Sequence, residues 1–187
     1  FLNLYNPRGI GFAIEPGNNG VGDLEMAAGS SIDAGIDIDL AGADIVTALL
    51  DAGDSIFIDA SGNLLIDDAA TAATGDVIAE ADNNVDVRGP VTATDGDILI
   101  DADADGNNAG TYDARDVLTA GGDIAISGSA VDADVMVAGG DVIVTGFASA
   151  PLNGNASVTL FGDVTAGGTI DVFSIDGSVT AEANLDA

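Results

Sequence analysis

The sequence lacks three side chains on which most enzyme mechanisms depend. Its 187 residues contain no Cys, no His and no Lys. Thiol nucleophiles, His-centred triads and Lys Schiff bases are therefore excluded. No disulfide can form, so packing and backbone hydrogen bonds alone must stabilise the fold. Trp is also absent and aromatic residues make up only 4% of the chain, which leaves few platforms for a sugar ring.

Positive charge is nearly absent. Three Arg residues oppose 32 acidic residues, 28 of them Asp, and the net charge is −29. Such a surface repels phosphates and anionic lipid headgroups, so we expect neither nucleic acid binding nor membrane insertion. No apolar run approaches the roughly 18 residues that a membrane span needs. The preference for Asp over Glu favours turns and strand ends over helices.

What the chain has instead is a repeat. Gly-Asp occurs seven times, and an apolar residue follows each pair directly or after one further residue. The pairs lie at 22–23, 53–54, 75–76, 96–97, 122–123, 140–141 and 162–163. A turn followed by a short strand, recurring about every twenty residues, is typical of a solenoid. We expect Gly to turn the chain, Asp to face solvent and the apolar residues to enter the core.

Short apolar runs separated by Gly, Asn, Asp and Ser predict many short strands, because those four residues tolerate the positive φ angles of tight turns. Alternation over 36–40 places Asp37 and Asp39 outward, and Asp132 and Asp134 are expected to do the same. The Ala- and Thr-rich stretch 69–74 predicts a broad corner. A β-sandwich also has short, closely spaced strands, but the Gly-led repeat favours the solenoid.

We therefore predict one all-β domain over residues 1–187, a parallel β-helix of about nine irregular coils and about 40 Å in length. The chain is expected to be a fragment or mature piece of a longer repeat protein. Ile, Val and Leu should point inward and Asp outward. Outward Asp pairs on neighbouring coils would give a diffuse cation-binding face.

Two segments carry a family resemblance. Residues 117–128 and 137–146, which share Ala-Gly-Gly-Asp followed by apolar residues, resemble filamentous-haemagglutinin-type repeats. Residues 6–10, Asn-Pro-Arg-Gly-Ile, are similar to the Asn-Pro-Asn-Gly-Ile motif of two-partner-secretion exoproteins, and they also form a good turn in any protein. The resemblance, which extends over 20–187, implies a right-handed parallel β-helix. It also implies export to a secreted or cell-surface location and a role in adhesion or surface structure.

The sequence 101–106 resembles the first half of a calcium loop, because carboxylates at alternate positions are followed by Gly. The twelfth position, which is Glu in an EF-hand, is Tyr112 here, so an EF-hand is rejected. We predict instead a calcium-binding corner, with a solvated acidic loop as the alternative. The predicted ligands are Asp101, Asp103, Asp105 and Asp113.

These observations favour an extracellular structural or adhesive β-solenoid scaffold without catalytic activity. One alternative is a filament or sheath subunit that polymerises through exposed end coils. Another is a β-helical enzyme that acts on polysaccharides with paired carboxylates. The expected partners are copies of the chain or neighbouring repeats stacked end to end, and host-surface or matrix glycans or proteins.

Overall fold

The computed structural model describes residues 3–6, 12–14, 22–107, 109–147 and 156–187. Every regular element in these ranges is a β-strand, and they contain no helix long and apolar enough to cross a membrane. The first nine strands are β1 (Asn3–Asn6), β2 (Phe12–Ile14), β3 (Leu24–Glu25), β4 (Ser31–Ala34), β5 (Ile38–Gly42), β6 (Ile45–Thr47), β7 (Leu49–Ala52), β8 (Ile56–Ala60) and β9 (Leu64–Ile66). The next eight are β10 (Ala70–Ala72), β11 (Val77–Ala81), β12 (Val85–Val87), β13 (Val91–Ala93), β14 (Ile98–Asp101), β15 (Thr111–Ala114), β16 (Leu118–Ala120) and β17 (Ile124–Gly128). The last eight are β18 (Ala130–Ala133), β19 (Met136–Ala138), β20 (Val142–Gly146), β21 (Ser157–Leu160), β22 (Val164–Ala166), β23 (Ile170–Ser174), β24 (Ser178–Ala181) and β25 (Leu185–Asp186).

These strands form three parallel sheets. Sheet A has nine strands in the order β1-β4-β7-β10-β13-β16-β19-β22-β25, and sheet B has eight in the order β2-β5-β8-β11-β14-β17-β20-β23. Sheet C has eight in the order β3-β6-β9-β12-β15-β18-β21-β24. Each strand pairs with the strand three places later, so one coil visits sheets A, B and C in turn. The predicted parallel β-helix is confirmed, with three strands per coil.

Three corners connect the sheets, and we name them A–B, B–C and C–A in chain order. Equivalent positions on successive coils lie between 18 and 28 residues apart. The B–C corner between β14 and β15 spans residues 102–110, whereas the preceding B–C corner between β11 and β12 spans only residues 82–84. Corners of different length therefore produce the irregular period, while the strands keep a constant register.

The core is a stack of aliphatic layers. Strand residues alternate between buried and exposed positions, and the buried set consists mainly of Ile, Val, Leu and Ala. In sheet A the last inward position is Ala in seven successive strands: Ala34, Ala52, Ala72, Ala93, Ala120, Ala138 and Ala166. A small side chain there lets the coil turn tightly into sheet B. The prediction that Ile, Val and Leu point inward is thus confirmed for the core, while Leu49, Leu99, Val137 and Ile143 are exposed on the outer faces.

Two local predictions were wrong. The stretch 69–74 is not one broad corner, because Ala70–Ala72 forms β10 between β7 and β13. Hydrogen bonds from both neighbouring strands override the weak strand preference of Ala. The alternating segment 36–40 begins its strand only at Ile38, so Asp37 lies in the A–B corner. Asp39 does point outward and is exposed.

Candidate functional site

A column of carboxylates runs along the A–B corner. In successive coils, the Asp that precedes a sheet B strand accepts a hydrogen bond from a backbone N–H of the next coil. Asp76 Oδ1 accepts the backbone N–H of Asp97 at 2.9 Å, and Asp97 Oδ1 accepts that of Asp123 at 2.7 Å. Asp123 Oδ1 bonds the N–H of Asp141 at 2.7 Å, and Asp141 Oδ1 bonds that of Thr169 at 2.6 Å. We call Asp76, Asp97, Asp123 and Asp141 the aspartate ladder.

The same column continues in the earlier coils, where Ser55 stands in place of one carboxylate. Asp37 Oδ1 accepts the backbone N–H of Ser55 at 3.2 Å, and Ser55 Oγ accepts that of Asp76 at 3.2 Å. The column therefore extends without a break from Asp37 to Thr169. These side chains are accessible to solvent, as expected of the Gly-Asp repeat, but each also bonds a neighbouring coil.

The Gly before a ladder Asp leaves room for the carboxylate of the preceding coil. A Cβ added to Gly122 would overlap Oδ1 of Asp97, and one added to Gly140 would overlap Oδ1 of Asp123. Neither Gly has a positive φ, so neither uses the left-handed conformation that Gly tolerates. They are required because two coils approach closely.

The seven Gly-Asp pairs do not occupy one equivalent position. Five of them, from 53–54 to 140–141, lie at the A–B corner, whereas 22–23 lies at B–C and 162–163 at C–A. Asp23 and Asp163, which lie at these other corners, likewise accept a backbone N–H of the next coil. Asp23 Oδ1 accepts the N–H of Asp44 at 3.4 Å, and Asp163 Oδ1 accepts that of Asn184 at 3.0 Å. Part of the uneven spacing therefore reflects a change of corner.

A mixed column of Asp and Asn joins the B–C corner. Asp44 Oδ1 accepts the backbone N–H of Asn63 at 2.7 Å and its Nδ2 at 2.9 Å. Asn63 Oδ1 accepts Nδ2 of Asn84 at 2.9 Å, and Asn84 Oδ1 accepts the N–H and the hydroxyl of Thr111. The two hydrogen bonds from Asn63, the backbone one first, lower the pKa of the Asp44 carboxyl below its ordinary value.

The outer face of sheet C stacks Asp86, Asp113 and Asp132 on three successive coils. Arg88 Nη2 donates to Asp86 Oδ2 at 2.7 Å, and Arg115 Nη2 donates to Asp113 Oδ2 at 2.6 Å. These hydrogen bonds and the adjoining negative charge raise the pKa of both guanidinium groups. No ion pair within the described ranges involves Asp132. The stack is thus only partly neutralised.

Three of the predicted calcium ligands lie in or next to the long B–C corner. Asp101 ends β14, and its Oδ1 accepts the N–H of Asp103 at 3.1 Å. Asp103 is buried, and its Oδ1 accepts the N–H of Ala109 at 3.4 Å. Asp105 accepts the N–H and the Nδ2 of Asn107 at 3.0 and 2.7 Å. Carboxylates that bond nearby backbone in this way also shape loops without any metal.

The fourth predicted ligand is held elsewhere. Asp113 lies in β15 and pairs with Arg115, while the adjacent Tyr112 is 1% exposed in the core. Tyr112 Oη has no hydrogen-bond partner among the described residues, and burial raises its pKa far above the ordinary value. Within the described ranges, no three acidic side chains group closely enough to hold a metal ion. Calcium binding by the four Asp residues stays a prediction.

The outer face of sheet B carries two stripes that the sequence analysis missed. One, the apolar stripe, occupies one register position on five successive coils: Phe57, Ile78, Leu99, Ala125 and Ile143. The other, the acidic stripe, lies two residues further along the strands: Asp59, Glu80 and Asp101. Runs such as 98–100 look uniformly buried from hydropathy alone. The alternation of the strand nevertheless leaves Leu99 45% exposed.

Residues 6–10 resemble a secretion motif. Of these, the structure describes only Asn6, and the other four lie outside the described residues. Comparison with known proteins finds no family, no curated protein and no solved structure that matches the chain. The molecule is therefore defined by its architecture. It is a three-sided parallel β-helix whose coils are joined at their corners by side-chain ladders.

Proposed function

We propose that this chain is an extracellular structural and adhesive rod, a β-solenoid scaffold without catalytic activity. The aspartate ladder is the observation that supports this proposal, because each of its carboxylates bonds the backbone of the next coil. A side chain that spans two coils resists their separation in addition to the backbone hydrogen bonds of the sheets. The Gly-Asp repeat of the sequence is thus used to build the rod.

Composition supports the extracellular part of the proposal. A net charge of −29 keeps a rod soluble and separated from copies of itself at low salt, and screening relaxes this repulsion in saline surroundings. The resemblance to exported repeat proteins points to the cell surface. Host-surface or matrix glycans and proteins are the partners that an adhesive rod would contact.

Three measurements test the proposal. Small-angle X-ray scattering should give an elongated particle of constant cross-section, and replacing Asp97 and Asp123 together by Ala should lower its thermal midpoint. Antibody labelling of intact producing cells should mark their surface. Labelling that requires permeabilised cells would contradict an extracellular scaffold, and a globular scattering profile would contradict the rod.

The second candidate is a filament subunit that polymerises through its last described coil. Val179 and Leu185 occupy the register of the buried Val158 and Val164, yet they are 46% and 49% exposed. A further coil stacked on β23, β24 and β25, from the same or another chain, would bury them and pair their open strand edges.

Electron microscopy distinguishes this candidate from a discrete rod. If copies stack end to end, concentrated protein forms fibres, and Val179→Asp with Leu185→Asp abolishes them. The control is Val137→Asp, which adds one Asp to the sheet A face, where Val137 is similarly exposed. Fibres that survive the double substitution, or that Val137→Asp also abolishes, would contradict stacking through the last coil.

A further inference from the structure

The two stripes of sheet B form an amphipathic surface parallel to the rod axis. Phe57, Leu99 and Ile143 are 39%, 45% and 38% exposed, so apolar side chains protrude at intervals along this face. Successive coils are about 4.8 Å apart and alternate residues of a strand about 6.6 Å apart. The apolar stripe is thus about 19 Å long, with the acidic stripe directly beside it.

A groove interrupts the apolar stripe at Ala125. The small side chain of Ala125 lies in register between Leu99 and Ile143, so one coil of the stripe is recessed between two larger residues. The resulting groove has a volume of about 270 Å³, and Glu80 and Asp101 are among the residues that line it. It can accept one side chain that is apolar along its stem and positively charged at its end.

Charge complementarity specifies the occupant further. The two arginines in the described ranges follow strands β12 and β15 of sheet C, so the acidic stripe has no basic neighbour on its own face. A chain of net charge −29 repels acidic partners from every side. A partner that covers the apolar stripe must therefore bring Lys or Arg to the acidic stripe.

The geometry also limits the partner's secondary structure. The sheet B strands already bond their neighbours on both sides through most of the stack, so their face offers side chains rather than a free edge. An extended strand cannot add to it by backbone pairing. An α-helix presents an apolar stripe with a charged flank along its axis, repeating every 5.4 Å, close to the coil spacing.

We infer that the outer face of sheet B docks a basic amphipathic α-helix of a partner protein. The helix lies along the rod with its apolar residues on the apolar stripe, a Lys or Arg stem in the groove at Ala125, and its basic flank over the acidic stripe. This inference rests on the proposed scaffold function, since it gives the rod a surface on which another polypeptide is displayed.

The probe is an 18-residue peptide of Leu and Lys with one apolar helical face, compared with a scrambled peptide of the same composition that has none. Fluorescence anisotropy in 150 mM NaCl measures affinity, and far-UV circular dichroism measures the helix gained on binding. We expect the amphipathic peptide to bind about tenfold or more tightly than the scrambled one. Equal affinities would overturn the inference, because they would indicate charge attraction alone.

Matched variants locate the contact. Ala125→Leu fills the groove without changing charge, and Glu80→Gln with Asp101→Asn removes two charges, so each should weaken binding about tenfold. The controls are Thr119→Leu and the pair Asp33→Asn with Asp51→Asn, which make the same changes on sheet A and should alter affinity less than about twofold. Equal losses in the controls would overturn the site.

Thermal midpoints establish that each variant is folded, and all the substituted side chains lie on the outer faces. Scattering by the unbound protein distinguishes a failure of the docking surface from a failure of the scaffold proposal. A rod that scatters as expected but does not distinguish the peptides refutes the docking surface alone, whereas a globular profile refutes the scaffold.

Discussion

The A–B corner and the outer face of sheet C both stack Asp residues on successive coils, yet the carboxylates of the two stacks have different bonding partners. In the corner, Asp97 accepts a backbone N–H from the next coil at 2.7 Å. On the face, Asp86 and Asp113 instead accept from Arg88 and Arg115 of their own coil. A corner carboxylate thus joins coils, whereas a face carboxylate only offsets charge. The position of an Asp relative to the strand start determines which role it has.

The largest expected effect comes from closing the space at the corner. A Cβ at Gly96 would overlap the carbonyl of Gly75 on the preceding coil. Gly96→Ala should therefore lower the free energy of unfolding by about 3 kcal/mol. Gly106 is the control, because its φ is 67° and no atom of the described residues lies within 4 Å of its Cβ position, so Ala there should cost about 1 kcal/mol. Urea unfolding measures both, and an equal or smaller loss at Gly96 would refute close approach as the reason for Gly.

Removing a ladder carboxylate compares the two stacks directly. Asp97→Ala deprives the N–H of Asp123 of its acceptor and should cost about 1 to 2 kcal/mol. Asp132→Ala on the sheet C face should change stability by less than about 0.5 kcal/mol. Asp97→Asn keeps an acceptor oxygen and removes charge repulsion, so it should cost less than Ala. Similar losses for Asp97→Ala and Asp132→Ala in urea unfolding would show that corner and face do not differ.

A third group of Asp residues, in the long B–C corner, tests whether acidic side chains there take a metal. If the predicted calcium site forms, 10 mM calcium stabilises the protein by about 1 kcal/mol for millimolar affinity. The thermal midpoint should rise more than in magnesium at equal ionic strength, and Asp105→Asn should remove the difference. A midpoint that responds equally to both cations would leave the loop as an acidic turn.

The fold was predictable because its signals are local. The Gly-Asp repeat about every twenty residues indicated the coils, and the alternation around Asp39 indicated the outward direction. The ladder was not predictable, since the N–H that Asp97 bonds belongs to Asp123, 26 residues later. To predict that partner, one would need the length of every intervening corner, and the hydropathy pattern does not give these lengths.

The candidate surfaces were less predictable than the fold. Tyr112 served only to reject an EF-hand, and nothing in the sequence showed that its register with Val85 and Val131 puts it in the core. Leu99 was grouped with buried residues because Ile98 and Ile100 flank it, and periodicity cannot divide so short a run. The two side chains illustrate one cause, namely that the face of a residue is fixed by its neighbours on the coils above and below.

The ion pairs of sheet C should contribute little to the stability of the fold. Arg88→Ala leaves Asp67 and Asp86 without their cation, but all three side chains are substantially exposed. We expect the thermal midpoint to fall by less than about 2 °C at 20 mM salt, and by less still at 500 mM, because screening weakens the pairs. The conservative variant Arg88→Lys keeps the charge and should recover most of the loss. A fall that grows with salt would contradict an electrostatic origin.

The smallest effect concerns protonation at the B–C corner. Because hydrogen bonds from Asn63 lower the pKa of Asp44, the carboxylate contributes stability above its ordinary pKa of 3.8, and this is lost as pH falls through the lower folded value. NMR titration should place the Asp44 pKa below 3.8. Asn63→Ala removes the Nδ2 donor but keeps the backbone N–H, which is the larger cause, so the pKa should rise only partway. A complete return to 3.8 would show that the side chain, rather than the coil-to-coil backbone bond, holds this carboxylate.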